Sequence, residues 1–394
     1  MRRPPTSLNR QQIVRAIHRN GPISRVEIAE RTGLSTPTIG EVSADLLAKG
    51  LVCETPDDRP GRSRGRGRPR VLLEIQADGA LIIAASLTWQ GAFEATFVNL
   101  AGEFLYGSSK PVAVHDTIDS LILELMSILE TIIGDSPFDA HQIARIAIAL
   151  PGAVDSRNGL VRWIPTLPRG NSPVAAIIQQ RLNVPVTIES DLEALARARY
   201  WFSDGPMPPS FMLLHIGFGV GAAHYVNDAP RMTTSGISEF GHVKTDFGAD
   251  ARACFCGGKG CVTAYSSMSG ILEKVGRWDP RSENMEQLSA TFQRVMRMAS
   301  EGDSATIEIF QEAGRHLGVA LANQINANDP GHVIIQTSVQ GLAALLEPSF
   351  HRALEINAVP VVLERTSFQS EVPPDDWRWK GAAALALEQI YSRE

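Results

Sequence analysis

Three things are scarce in this sequence, and each scarcity excludes a class of protein. No apolar run in the 394 residues approaches the roughly 18 to 20 that a bilayer-spanning helix needs. The basic N-terminus, MRRPPTSLNRQQ, has no apolar stretch behind it, which argues against a secretory signal. Cysteine is the third. There are 4, and three of them, Cys254, Cys256 and Cys261, fall within eight residues while Cys53 stands alone. A disulfide framework spreads its cysteines along the chain, whereas clustered thiols in a reducing compartment point to a metal. The expectation is a cytoplasmic protein with no membrane partner.

What is present is ordinary globular composition, 44% hydrophobic and 20% charged. The length suits a small domain plus a large one, or three of medium size. The net charge of -6 is unevenly spread: residues 1–70 hold 14 of the 37 basic side chains and 7 of the 43 acidic ones. A positive head on a negative body suits one end facing a polyanion while the other stays clear of it. A basic solvated tail would give the same charge pattern.

Three short helical segments can be read between residues 9 and 50. Ile13, Val14 and Ile17 form an apolar stripe that stops at Asn20-Gly21-Pro22. Ser24 is a predicted cap for a second helix, with Glu27 as its reciprocal partner. Val26, Ile28 and Ala29 form its inner side, Thr32-Gly33 makes a sharp turn, and Leu34 fills the corner. Ser35 caps a third helix with Pro37 in its first turn, where a missing N–H costs little. Ile39, Val42, Leu46 and Leu47 face inward, and Lys49-Gly50 ends it. This is the spacing of a helix-turn-helix, whose last helix lies in the DNA major groove. Ser35, Thr36, Pro37 and Thr38 are the candidate DNA contacts. Threonine can bond base edges or touch a thymine methyl, and the orphan N–H groups of a helix start suit a phosphate. A small helical domain without nucleic acid is the plainer alternative.

Leu51–Thr55 and Val71–Ile75 each read as a short strand of a wing. Pro56 to Arg70 carries six arginines and no aliphatic residue, so it cannot pack a core. Arg66, Arg68 and Arg70, interleaved with Gly65 and Gly67, suit insertion into a narrow minor groove. A flexible linker making only phosphate contacts is the other reading. From residue 71, strands and helices alternate. Strands are expected at 80–85, 91–99, 104–108, 144–149, 186–188 and 333–335, with a hairpin from 212 to 226. Helices are expected at 118–133, 192–200 and between 285 and 326. This is α/β organisation.

Four segments carry a family resemblance: Ala149-Leu150-Pro151-Gly152-Ala153-Val154-Asp155, Gly217 to Gly221, Glu239-Phe240-Gly241-His242, and Cys254-Phe255-Cys256-Gly257-Gly258-Lys259-Gly260-Cys261. With the helix-turn-helix in front of them, the chain resembles the ROK family (repressors, open reading frames and kinases) in its repressor branch. The resemblance covers nearly the whole chain. It implies a winged helix-turn-helix (1–55), an Arg/Gly-rich wing tip or linker (56–70), and a two-lobed body (71–394). That body would have the actin-like fold of sugar kinases and ribonuclease H, senses a ligand in the interlobe cleft, and assembles as a homodimer or homotetramer.

His242, Cys254, Cys256 and Cys261 offer one imidazole and three thiols, a set that suits tetrahedral zinc. Four protein ligands leave no open position, so one structural Zn²⁺ per chain is expected, as in the family. The resemblance also implies a sugar pocket. Asp191, in the pair Ser190-Asp191, matches the family kinases' general base, and Glu239 and His242 match the motif that touches sugar hydroxyls. Thr166 and Thr263 stand where those kinases carry Asn and Glu. Helix-start capping and surface solvation are the plainer roles for Asp191 and Glu239.

No kinase activity is expected. The kinases' Asp-x-Gly-Gly-Thr phosphate turn is replaced by Ala84-Ala85-Ser86-Leu87-Thr88-Trp89-Gln90-Gly91, Phe218 replaces a Thr, and Gln336-Thr337 replaces a Gly-Gly. Three ATP-contact regions have degraded together, and phosphoryl transfer depends on such positioning. The expected function is a DNA-binding transcriptional repressor, not an enzyme. A sugar or sugar derivative would shift the lobes and release the double-stranded operator. The alternatives are a ligand-blind body controlled by a protein partner, and an ATP-dependent sugar kinase with an added DNA-binding head.

Overall fold

The computed structural model describes residues 6–57, 71–88, 91–165, 167–168, 170–203, 205, 207–231, 238–276 and 285–392. Arg66, Arg68, Arg70, Trp89, Gln90 and Thr166 lie outside the described residues.

The head comprises α1 (Thr6–Asn20), β1 (Ile23–Ser24), α2 (Arg25–Thr32), α3 (Thr36–Ala48), β2 (Val52–Pro56) and β3 (Val71–Ile75). Ser24 and Glu27 form a reciprocal capping box at the start of α2, and Gly33, with φ 67°, ends that helix in the left-handed conformation. Ser35 caps α3 by accepting from the Thr38 N–H. Ile13, Val14, Ile17, Ile28, Ile39 and Leu46 are buried together, each contributing roughly 1.5–3 kcal/mol by leaving water. Val26 departs from expectation: it is 64% exposed, on the outer side of α2. Ile28 holds the inward position, and residues two apart on a helix point about 200° from one another, so Val26 falls on the opposite side. The sheet runs β1-β3-β2 and is antiparallel throughout. It therefore includes β3, from beyond the Arg/Gly-rich segment.

The body has two lobes built on one plan. The first contains β4 (Leu81–Leu87), β5 (Ala92–Val98), β6 (Phe104–Pro111), α4 (Ile118–Asp135), β7 (Ile143–Leu150), the hairpin β8 (Ala153–Asp155) and β9 (Leu160–Trp163), α5 (Val174–Leu182), β10 (Val186–Ser190) and α6 (Asp191–Phe202). The second contains β11 (Phe211–Ile216), β12 (Val220–Val226), β13 (Ala229–Pro230), α7 (Thr263–Ser266), α8 (Met268–Lys274), α9 (Met285–Ser300), α10 (Ser304–Asn328), β14 (His332–Thr337), α11 (Leu342–Asn357), α12 (Pro360–Leu363), β15 (Ser367–Glu371) and α13 (Trp377–Ser392). Sheet orders are β10-β7-β4-β5-β6 and β13-β12-β11-β14-β15. In each sheet the first three strands in sequence form an antiparallel meander, and the last two add in parallel on the other side. The central strands β4, β7, β11 and β14 are apolar along most of their length, as buried parallel strands require. The two-lobed architecture implied by the resemblance is the one observed. Among the described residues, no helix is long and apolar enough to cross a membrane.

One apolar core runs without a break from the head into the body. It joins Ile13, Ile17 and Leu46 of the head to Tyr200 and Trp201 of α6 and to Leu385, Leu387 and Tyr391 of α13. Gly381 lets α13 come close to α6, since a Cβ there would stand 2.2 Å from the Ala194 carbonyl oxygen.

Candidate ligand cleft, metal centre and head interface

The lobes enclose a cleft of about 1500 Å³, counting its open mouth. The first lobe supplies Ser86, Leu87, Gly152 and Trp163, and the second supplies Glu239, His242, Thr263 and Arg378. Between them lies the start of α6, where Ser190, Asp191 and Glu193 line the wall. That strand-to-helix junction explains the placement of Asp191. β10 ends at Ser190, whose hydroxyl caps α6 by accepting from the Glu193 N–H at 3.3 Å. The capping role considered for Asp191 thus belongs to Ser190, while Asp191 Oδ1 accepts from the adjacent Leu192 N–H at 2.9 Å.

Glu239 keeps 39% of its side-chain surface. Withdrawal into the cleft wall, with the Asp191 carboxylate as second cause, pushes its pKa up to about 7. Two carboxyl groups that repel one another want hydrogen-bond donors from a ligand, and paired sugar hydroxyls are such donors. Thr263 is different: it is 2% exposed, and its hydroxyl donates to the Val220 carbonyl at 3.5 Å.

The metal-binding residues expected from the sequence come together. One donor atom from each of His242, Cys254, Cys256 and Cys261 lies within 4.8 Å of the others. The Cys256 and Cys261 sulfurs are 3.7 Å apart, and His242 Nδ1 is 3.5 Å from the Cys254 sulfur. Corners of a tetrahedron with bonds of about 2.3 Å are separated by about 3.8 Å. The donor set and spacing therefore fit zinc. Lys244 Nζ donates to the Cys261 sulfur at 2.9 Å and offsets part of the thiolate charge. The other nitrogen of His242, Nε2, lies 3.7 Å from Glu239 Oε2. One imidazole thus faces the metal position with one edge and the cleft carboxylate with the other.

Beneath the cleft sits a buried ionic cluster that the sequence reading missed. Arg197 lies 3.1 Å from Glu189 and 3.0 Å from Glu388, and the Trp201 indole N–H donates to Glu388 at 2.9 Å. A third carboxylate, Glu193, is 3.9 Å from the same guanidinium, and its Oε2 has no hydrogen-bond partner. Burial pushes Glu193 up to about 8 against the pull of Arg197, with Glu189 and Glu388 adding to the rise.

The cluster links the cleft to the head. α6 starts in the cleft wall and ends where Trp201 and Phe202 meet the His18 ring edge-on, at 5.6 and 5.5 Å. Burial lowers the pKa of His18, and its Nε2 bonds the Ala101 carbonyl at 2.8 Å. The Arg15 guanidinium lies 3.3 Å over the Tyr200 ring. Asp228 accepts from Arg15 at 3.2 Å and from the Tyr200 hydroxyl at 2.9 Å. α13 runs alongside, from Arg378 in the cleft to Tyr391, whose carbonyl accepts from Arg10.

At the far side of the head, Ser35, Thr36 and Pro37 are exposed and Thr38 is half-buried, its hydroxyl 2.8 Å from that of Ser35. In the body, Leu87 and Phe218 line the cleft. Gln336 is buried and donates to Glu371 at 2.8 Å.

Sequence reasoning also missed Trp163, Phe255 and Arg378 as cleft residues. For α13 a signal existed: Gly381-Ala382-Ala383-Ala384 is a run of small side chains of the kind that lets two helices approach closely.

The model of the ROK family matches residues 91–389, and that of winged helix-turn-helix DNA-binding domains matches residues 7–52. The chain is 26% identical over 337 residues to a xylose repressor of Caldicellulosiruptor bescii, covering 83% of this chain and 82% of that protein. It is 24% identical over 389 residues to the DNA-binding transcriptional repressor Mlc of Escherichia coli K12, covering 98% and 94%. Among solved structures, a ROK family transcriptional regulator described as a homologue of E. coli Mlc superposes with a TM-score of 0.77 at 23% identity, covering 98% of this chain and 96% of that one. The chain is a member of the ROK family, with a winged helix-turn-helix preceding its two-lobed body.

Proposed function

We propose that this protein is a DNA-binding transcriptional repressor whose hold on its operator is controlled by a sugar or sugar derivative in the interlobe cleft. The observation that carries the reading is the continuity of α6 and α13. Both helices reach from the carboxylate-lined cleft to the helix-turn-helix, inside one apolar core. A ligand that favours one lobe arrangement therefore favours one head placement, which is the coupling a sensor needs. The names of the relatives, repressors both, point the same way.

In this reading Asp191 and Glu239 accept hydrogen bonds from adjacent hydroxyls, with His242, Ser190, Thr263 and Thr166 completing the pocket. Ser35, Thr36, Pro37 and Thr38 face the major groove, and Arg66, Arg68 and Arg70 the DNA beside it. One structural Zn²⁺, held by His242, Cys254, Cys256 and Cys261, fixes the loop at the cleft. The head (1–55), completed by β3 (Val71–Ile75) from beyond the wing tip (56–70), then contacts DNA, and the rest of the body, to residue 394, senses the ligand, in a cytoplasmic homodimer or homotetramer. We assign the cleft no catalytic step, because Leu87 and Phe218 occupy the positions that the family's kinases give to phosphate-binding residues.

The test is operator titration on DNA fragments beside the protein's own gene, with and without pentoses, hexoses, amino sugars and their phosphates. A saturable change in affinity is expected for one compound. Tight DNA binding that no compound alters would favour a ligand-blind body under a protein partner, a reading that the Thr263 hydroxyl, turned to the Val220 carbonyl, gives some footing. ATP-dependent sugar turnover would overturn the non-enzymatic assignment.

A further inference from the structure

We infer that Glu41 is the base-reading side chain of α3, and that it selects a cytosine in each operator half-site through the cytosine's N4 amino group. The inference rests on the DNA-binding reading of the head and names what that head prefers.

The two sides of α3 differ sharply. Ile39, Val42, Ser43 and Leu46 are buried against the rest of the head. Thr36, Pro37, Glu41, Ala44 and Ala48 are exposed. At about 100° per residue, Pro37, Glu41, Ala44 and Ala48 fall within about 60° of one another, opposite the buried set. Within that outward stripe Glu41 carries the one polar side chain. The other acidic residue of the helix, Asp45, is already engaged, by Arg10 and by Lys49 at 3.1 Å. Glu41 has no hydrogen bond or ion pair among the described residues.

The residues beside Glu41 are small, and one of them is costly. A glycine inside a helix is destabilising against alanine. Gly40 has no packing reason to be one, since a Cβ added there would meet nothing within 4 Å. Glycine does suit a backbone that another molecule approaches closely. With Gly40 and Ala44 on either side of it, the helix can sit deep in a major groove, and the Glu41 carboxylate then extends to the base edges.

An ionised carboxylate only accepts hydrogen bonds. In the major groove the donors are cytosine N4 and adenine N6. Guanine and thymine oppose a carboxylate with acceptor atoms, and adenine sets its N7 acceptor beside N6. Cytosine offers a donor with no acceptor next to it on the same base edge. The phosphates repel Glu41 at every sequence, and the cytosine amino group is what offsets that repulsion. Glu41 thus weakens binding to DNA in general and favours sites with cytosine at one place.

The test is selection by the full-length protein from a randomised duplex library, run for wild type, Glu41→Gln and Glu41→Ala, followed by anisotropy titration of the enriched sites. Wild-type sites should share one C·G pair in each half-site. At that position Glu41→Ala should accept any pair and Glu41→Gln should prefer adenine, which glutamine can bond at N6 and N7. The remaining positions should not change. Replacing the C·G pair should weaken wild type about tenfold and Glu41→Ala less than twofold. Both variants should also bind unrelated DNA more tightly than wild type at low salt. Thermal melts identify a variant that fails to fold, and the other then decides. One motif shared by all three proteins would overturn the role of Glu41 and leave the DNA-binding reading intact. So would a wild-type motif with no C·G position that depends on residue 41. If none of the three enriches any sequence, the DNA-binding reading falls, and the inference with it.

Discussion

Glu193→Gln should stabilise the protein at alkaline pH and flatten its pH dependence. The wild-type carboxyl is pushed from an ordinary value near 4.5 to about 8, chiefly by burial. Its folded-state pKa is therefore raised. Such a group contributes stability that is fully present below about pH 4.5 and is lost as pH rises towards 8, because the unfolded chain gives up the proton first. Each pKa unit corresponds to about 1.4 kcal/mol. Between pH 5 and pH 8 this one group should therefore remove about 3 kcal/mol of stability. Glutamine has the same shape and cannot ionise, and Arg197 keeps Glu189 and Glu388 as partners. Urea unfolding followed by fluorescence at pH 5, 6, 7 and 8 would give both curves. The variant should lie within about 1 kcal/mol of wild type at pH 5 and above it by about 2–3 kcal/mol at pH 8. Parallel curves would refute the reasoning, since they would mean that Glu193 is ionised in the folded protein at neutral pH.

Elemental analysis should find one zinc per chain, and Cys256→Ser should lower both zinc content and melting temperature. Chelation that strips the metal without changing the melt would argue against a structural role. Asp228→Ala removes the acceptor shared by Arg15 and the Tyr200 hydroxyl. It should cost about 1–3 kcal/mol in unfolding free energy and weaken operator binding while sugar affinity holds, and unchanged operator affinity in gel-shift titration would count against the interface. Asp191→Ala should abolish the sugar response and leave sugar-free operator binding intact, with loss of both pointing to a folding defect instead.

Local signals in the sequence were reliable where a side chain acts on its own backbone neighbourhood. The Ser24 and Ser35 caps, the Gly33 turn and the hairpin around Gly217 are decided within a few residues, and each forms as read. The cluster of His242 with three cysteines was legible for a related reason: three thiols within eight residues have few ways to avoid one another. Val26 was misplaced because an apolar side chain on a short helix can face solvent when its neighbour already fills the core. The charged cluster was out of reach. Glu189, Arg197 and Glu388 meet only because α13 returns across the body, bringing in Glu388 at a sequence separation of 191 from Arg197, and nothing local to Arg197 distinguishes it from a surface arginine. The stacked pair of Trp163 and Phe255 was hidden likewise, its two rings coming from different lobes.

The unbroken core between head and body bears on how such proteins can be recombined. Grafting a foreign DNA reader onto this body would expose the faces of Trp201, Phe202 and Tyr391 that α1 now covers, and would leave Asp228 without its arginine. A working chimera must therefore carry α1 over with the body, or import a matching α6 and α13 with the new head. On the proposed reading, operator specificity is most open to change at the start of α3, where Thr36 and Pro37 are exposed. Sequence drift in this protein should follow the same division, with the surface that reads DNA free to vary while the surface that holds the reader changes only in concert with the body.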